Sequence, residues 1–399
     1  MTTTHAGPNA RAVLGELWHE RVGGFQVSKA HEPHLRAALE WLCRAQDVTG
    51  TPGFARGYSL VRHPQFGIRG WQAAYPETTG YIIPTLLLAA RHVGWSGLAD
   101  RAIQAAHWEI EVQLPNGAVQ GGVIGEPPTP AIFNTGQVIL GWLAAYHETK
   151  GDEFAAAAQR AAEFLVSVLD EDGAWRRGNS MFADRRATNY NARTAWALAE
   201  AGAVLAEPRY TDAARRALKQ VAKQQHENGW FPACCLTDPA EPLLHTVAYA
   251  IRGLLEGGRV LGESSFIAAA SVAAERIAER VDARGTLPGR FTAVWGPAAK
   301  WRCLTGEAQM ANIWMRLEAI TGEPGWSRPV PRVLQALKAT QSRGASDPGI
   351  RGGIKGSSPM TGWYGRFEVL NWATKFFADA LMRDERREAC ANDRCGVLA

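Results

Sequence analysis

Apolar positions recur in two kinds of helical run that alternate along the chain. The first kind is apolar on more than one side. Six segments share it: "ETTGYIIPTLL" from residue 77, "FNTGQVILGWL" from 133, "YNARTAWALAEAG" from 190, "LHTVAYAIRGLL" from 244, "LTGEAQMANIWMRL" from 304 and "LNWATKFFADAL" from 370. Aligning their second residues puts Thr78, Asn134, Asn191, His245, Thr305 and Asn371 in one register, at steps of 56, 57, 54, 60 and 66 residues. Self-similarity at such a period marks a repeat architecture.

The second kind is amphipathic. In "DEFAAAAQRAAEFLVSVL" (152–169), Phe154, Ala158, Ala161, Leu165 and Val168 form one stripe, while Gln159, Arg160 and Glu163 face away. That spacing predicts a surface helix. Similar helices fit 33–46, 98–112, 211–225, 264–281 and 328–341.

An outer, amphipathic helix followed by an inner, enclosed one, six times over, predicts an all-α fold: an (α/α)6 toroid of six αα-hairpins. An open helical solenoid is the alternative, but it must cap its exposed ends. The toroid spans 31–383, with 1–30 as an N-terminal extension and 384–399 as a C-terminal tail. Links from inner to outer helices are short, as at "TKGD" (149–152). Links from outer to inner helices are long: 47–76, 113–132, 170–189, 226–243, 282–303 and 342–369. Long loops in a compact domain usually serve function. Closure gathers them on one face, over the N-termini of the inner helices. Thr78 and its counterparts are expected to cap those helices. They also ring a floor where helix dipoles and free N–H groups favour an anionic or oxygen-rich ligand.

Composition changes little in this picture. The 399 residues carry a net charge of +4 and no basic run, which excludes a nucleic-acid footprint. No stretch suits a transmembrane helix, and "MTTTHAGPNARAVLGELWHERVGG" has no secretory h-region, so a cytoplasmic protein is expected. Six cysteines, Cys390 and Cys395 among them, show no zinc-ligand spacing. No metal and no cofactor is expected.

The long loops carry the candidate chemistry. Trp71, Trp301 and Trp363 offer flat faces for sugar rings, whereas Trp175 and Trp230, in "DEDGAW" and "HENGW", are expected to be structural. Arg69, Arg177, Arg290 and Arg366 stand beside aromatics or glycines and suit carboxylate, sulfate or phosphate. Candidate catalytic groups are Glu77, His245, Tyr249, Glu307 and Glu368. Candidate substrate contacts add Tyr75, Asn134, Gln137, Asn191, Arg193, Tyr364, Asn371 and Lys375. Two chemistries fit. Proton abstraction beside a uronate carboxylate needs a neutralising Arg, Asn or Gln and a base such as His, Tyr or Lys; it leads to β-elimination or epimerisation. Glycoside hydrolysis generally needs two carboxylates about 5 to 9.5 Å apart, for which Glu77, Glu307 and Glu368 are available.

The motifs "YPETTGYIIPTLL", "FNTGQVILGWL", "NYNARTAWAL", "CLTGEAQMANIW" and "YGRFEVLNWATKFFADAL" resemble bacterial six-hairpin toroid proteins of surface-polysaccharide biosynthesis. That group is loosely joined with prenyltransferase/squalene-cyclase-like toroids, and its architecture is shared with polysaccharide lyases, unsaturated glucuronyl hydrolases and sugar epimerases. The resemblance covers roughly 33–383 and implies a sugar or oligosaccharide substrate and association with a polysaccharide-assembly pathway. The D-x-D-D and DDxxD motifs of isoprenoid enzymes are missing. The expected function is thus a carbohydrate-active enzyme working on a uronic-acid-type oligosaccharide by lyase, epimerase or hydrolase chemistry. The alternatives are a terpenoid or prenyl cyclase-like toroid and a non-catalytic glycan-binding protein.

Overall fold

A computed structural model of the chain describes residues 10–22, 27–178, 186, 188–235 and 237–391. Helix α1 (Ala10–Arg21) precedes six hairpins: α2 (Glu32–Asp47) with α3 (Pro76–Val93), α4 (Gly97–Glu111) with α5 (Ile132–Thr149), α6 (Asp152–Ser167) with α7 (Ala192–Val204), α8 (Pro208–Gln224) with α9 (Leu244–Leu261), α10 (Ser264–Ala278) with α11 (Leu304–Thr321), and α12 (Val330–Lys338) with α13 (Asn371–Ala391). The outer helix α8 buries one stripe, Tyr210, Ala213, Ala214, Ala217, Leu218 and Val221. The inner helix α9 buries nearly every position from Leu244 to Gly258. This is the alternation the two apolar patterns predict.

Successive inner helices pack side by side, and α13 packs back against α2 and α3, so the ring closes as an (α/α)6 toroid. A repeated left-handed glycine seats one hairpin on the next at five of the six junctions. Gly117 follows α4 with φ +85, and a Cβ there would stand 2.3 Å from the Arg160 carbonyl oxygen on α6. Gly352 follows α12 with φ +91 and meets the Ala37 carbonyl of α2 in the same way, at 2.3 Å. Only glycine tolerates both the left-handed backbone and that approach. The contact made by Gly352 joins the last hairpin to the first.

Short strands tie the loops together. Strands β1 (Gly57–Ser59), β2 (Gly70–Trp71), β3 (Arg302–Cys303), β4 (Ile354–Lys355), β5 (Ser357–Ser358) and β6 (Glu368–Leu370) form a β2-β1-β6-β4 sheet and a β3-β5 pair. The first, fifth and sixth long loops are stitched to one another this way.

The polar helix starts do not act as caps. The residues that precede α3, α5, α9 and α11 are Tyr75, Ala131, Leu243 and Cys303, none with a side-chain cap bond. Thr78, Asn134, His245 and Thr305 lie inside the first turn. The fourth residue past the helix boundary does the bonding instead. Thr79 Oγ1 donates to the Tyr75 carbonyl and accepts from Phe54 N at 2.9 Å. Thr135 repeats this with Ala131 and Val119 N, and Thr374 with Leu370 and Ile354 N. Each hydroxyl staples a long loop to an inner helix and satisfies a buried amide of that loop.

Both ends of the described chain carry helix. Helix α1 lies in the expected N-terminal extension and is held by Glu16, which accepts from Lys355 Nζ at 2.7 Å. Helix α13 continues past 384, where Asp384 is buried and pairs with His31 and Arg387. Residues 1–9 and 392–399, Cys395 among them, and the Cys390 side chain lie outside the description. No helix among the described residues is long and apolar enough to cross a membrane.

Candidate functional site

On the long-loop face the ring encloses a cavity of about 230 Å3. The inner helices line it through the second residue past the helix boundary: Glu77 on α3, Phe133 on α5, His245 on α9 and Trp372 on α13. One turn deeper come Tyr81 and Tyr249. The loops add Arg56, Phe66, Tyr75, Gly122, Tyr190 and Tyr364. The walls are therefore mostly aromatic, with a few polar groups at the floor and rim.

Glu77 is the one carboxyl lining this cavity among the described residues. It accepts a hydrogen bond from the Tyr75 hydroxyl. Burial pushes its pKa up from 4.5 to about 7, against the opposing pull of that hydroxyl and of the Arg56 and Arg193 charges. Tyr75 itself is held well above the usual phenol range by burial and by Glu77.

His245 has its Nδ1 2.8 Å from Gln309 Oε1. An amide oxygen only accepts, so Nδ1 carries the proton and Nε2 keeps its lone pair. Burial lowers the imidazole pKa to about 4; the Gln309 bond works the other way, and the Arg193 charge adds to the lowering. The ring is neutral at physiological pH. It packs 4.4 Å from Tyr249 and 5.2 Å from Tyr364. Tyr364 in turn accepts from Trp372 Nε1 at 2.7 Å, which fixes the phenol beside the imidazole.

Arg56 supplies the cation. Its guanidinium lies over Trp372, 4.9 Å from the ring centre, and over Phe66 at 5.4 Å. One of its nitrogens is held by Glu368 at 2.8 Å and Gln72 at 2.7 Å. Arg193 sits below, bonded to Gln137 Oε1 and ringed by Tyr81, Tyr249, Trp196 and Phe376.

The structure thus gathers Glu77, His245, Tyr249, Tyr75, Asn134 and Tyr364 around one cavity. It places the other candidates elsewhere. Glu307 is fully buried, paired with Arg302 at 2.6 Å, and accepts from Leu287 N at 2.9 Å. Glu368 lies behind Arg56 with Gln72 and Ser59. Asn371 bonds to Ala55 O and Thr78, while Asn191 lies against Trp175 towards the outer layer. Gln137 sits beneath the cavity with Arg193, and Lys375 below both, paired with Asp379. Trp71 packs at a tilt against Trp41 and edge-on to Tyr58, and Arg69 precedes it outside the lining. Arg177 is exposed beside Asp170, and Arg290 binds Glu241 O and Thr237. Trp301 lines a separate groove, and Arg366 stacks on Trp363, which is 75% exposed. Trp175 and Trp230 are buried as turn anchors.

Arg56 and three aromatics, Phe133, Tyr190 and Trp372, line the cavity without having been singled out from the sequence. Their signal was adjacency: each of the three aromatics directly flanks one of the aligned Asn positions 134, 191 and 371.

No protein-family model and no curated protein matches the chain. Solved structures do match it. An unsaturated glucuronyl hydrolase responsible for glycosaminoglycan degradation, from a Bacillus species, superposes with a TM-score of 0.70 at 16% identity, covering 89% of this chain and 97% of its own. A heparin-specific unsaturated glucuronyl hydrolase gives 0.67 at 18% identity, covering 89% and 96%. Cellobiose 2-epimerase from Bacillus thermoamylovorans gives 0.68 at 12% identity, covering 95% and 100%. At such identities the likeness establishes the toroid fold, shared with sugar hydrolases and an epimerase.

Proposed function

We propose that the chain is a carbohydrate-active enzyme that moves a proton at a carbon beside the carboxylate of a uronic-acid-bearing oligosaccharide. The observation that carries this is the pairing, in one aromatic cavity, of a carboxyl poised near pH 7 with a neutral imidazole. Glu77 is the acid: half-protonated near neutrality, it donates and recovers a proton at little cost. His245 Nε2 is the base, its ring oriented through Nδ1 by Gln309. Arg56 faces the substrate carboxylate, and Phe66, Phe133, Tyr190 and Trp372 stack on sugar rings.

Two-carboxylate glycoside hydrolysis is disfavoured by the placement of Glu307 and Glu368, which lie outside the lining and are each paired with an arginine. The second reading is hydrolysis of an unsaturated uronyl end. It is favoured because Glu77 is the single acid of the cavity, and protonating a vinyl ether needs one acid. It is also the activity named for two of the structural neighbours. The proposal extends to a cytoplasmic setting and to association with a polysaccharide-assembly pathway, the latter implied by the sequence resemblance.

One assay separates the chemistries. Saturated and unsaturated uronate oligosaccharides and a neutral counterpart are incubated with the protein in deuterated water. Elimination creates the ultraviolet absorbance of a conjugated double bond, hydrolysis of an unsaturated end removes it, and epimerisation leaves it unchanged while exchanging a ring proton for deuterium. Turnover of the neutral sugar alone, or of none of the three, overturns the proposal.

A further inference from the structure

The ring holds a second cavity, of about 310 Å3, below the layer formed by Tyr81 and Arg193. All six inner helices line it. Tyr81 lines both cavities, and the groups assigned above to acid, base and carboxylate recognition stay in the upper one.

The lower cavity is short of negative charge. Arg193, Arg252, Lys375 and Arg383 line it, with Arg259 and Arg316 just behind. Three carboxylates answer these six cations, and all three are already engaged. Glu256 is shared by Arg252 at 2.9 Å, Arg259 at 2.9 Å and Arg316 at 2.7 Å. Asp379 is held by Lys375 at 2.6 Å and Thr85 at 2.8 Å. Glu200 accepts from Arg259 at 2.5 Å and Trp196 at 3.0 Å. Among the described residues, neither Arg193 nor Arg383 has a carboxylate within 4.0 Å; Gln137 and Asn312 accept from them instead. The Arg252 Nε is buried without a hydrogen-bond partner.

A guanidinium does not shed its proton, so the imbalance persists on folding. Burial lowers the pKa of Arg193, and burial together with neighbouring guanidinium charges lowers those of Arg252, Lys375 and Arg383, Lys375 to about 8. Helix dipoles do not account for the cluster. Arg193 lies in the first turn of α7 and Lys375 just beyond the first turn of α13, whereas cations serve a dipole in the last turn.

We propose that this lower cavity is a binding site for a small phosphate-bearing molecule, the oxyanion lodged among Arg193, Arg252 and Arg383 and its body against Trp196, Phe376 and Leu88. Guanidinium forks match the oxygens of a phosphate group. The volume is at the lower end for small-molecule sites, so the ligand is compact.

The test is calorimetric titration of the full chain, at fixed ionic strength in chloride, with inorganic phosphate, phenyl phosphate and benzoate. Saturable one-to-one binding of both phosphates is expected, with phenyl phosphate tighter than benzoate. Arg383→Gln weakens phosphate at least tenfold, and Leu88→Trp, which fills the cavity from an apolar wall, weakens phenyl phosphate at least as much. Arg177→Ala and the upper-cavity variant Arg56→Lys bind phosphate as the unmodified chain does. No saturable phosphate binding overturns the proposal. So does full binding by both Arg383→Gln and Leu88→Trp, loss that follows Arg56→Lys instead, or preference for benzoate. Because the readout is binding without turnover, its failure leaves the function proposed for the upper cavity standing, and the reverse holds.

Discussion

His245 and Gln309 stand 64 residues apart in the chain and 2.8 Å apart in the fold. The bond crosses from α9 to α11 and decides which imidazole nitrogen holds the proton. Gln309→Leu removes the acceptor that fixes the tautomer and is expected to lower kcat about 10- to 100-fold, on the scale seen when an orienting partner of a functional histidine is lost. Gln309→Glu sets a carboxylate beside Nδ1 and raises the His245 pKa above about 4. Nitrogen-15 chemical shifts of the ring report both changes.

The pH profile follows from two shifts of opposite sign. His245 works as a base only above its pKa of about 4, and Glu77 as an acid only below about 7. The rate on a uronate substrate is expected to rise through the first value and fall through the second. Stability is linked to the same carboxyl. Its folded pKa is raised, so the stabilisation is fully present below 4.5 and fades as pH rises through about 7. Burial of neutral His245 pulls the other way below pH 6.5, so the Glu77 share is read as a difference: between pH 4 and 8 the denaturation midpoint of the unmodified chain should fall relative to that of Glu77→Gln.

Arg56 is separable from the acid–base pair. Arg56→Lys keeps a charge near Glu368 but loses the planar fork and the stacking over Trp372. Its KM for uronate substrates is expected to rise about tenfold, roughly 1.4 kcal/mol, with kcat little changed. Steady-state kinetics check the split; an equal fall in kcat would place Arg56 in the chemical step instead.

Ring closure is testable at one atom. Gly352→Ala forces a left-handed alanine against the Ala37 carbonyl and is expected to cost about 2 to 5 kcal/mol, strain and clash together. Gly94→Ala, at φ +67 with open space around it, should cost about 1 to 2 kcal/mol. Urea denaturation of both variants measures the difference.

The toroid was legible in the sequence because enclosure leaves a periodic mark: a helix surrounded by others has no polar face, and its neighbour in the outer layer has one. Site chemistry was legible only in part, because a helix turns about 100° per residue. The aligned residues Thr78, Asn134, His245, Thr305 and Asn371 fall one to three places past their helix boundaries, so they do not share a direction. The cavity register is the second place, occupied by Glu77, Phe133, His245 and Trp372. Glu307 is at the fourth, where Thr79, Thr135 and Thr374 staple loops, and it does their work by accepting Leu287 N. Glu368 is in β6, where its pairing with Arg56 depends on the sheet register between two loops about 300 residues apart. Local sequence carries no trace of that register.

The most direct test compares the unmodified chain with Glu77→Gln on one uronate oligosaccharide, measuring turnover and substrate binding together. The expected result is turnover by the unmodified chain, a fall of about 100- to 10,000-fold in the variant and binding within a few-fold of normal, since the amide preserves the shape of the cavity. Full turnover by Glu77→Gln would contradict the assignment of the acid, and with it the chemistry proposed for the cavity.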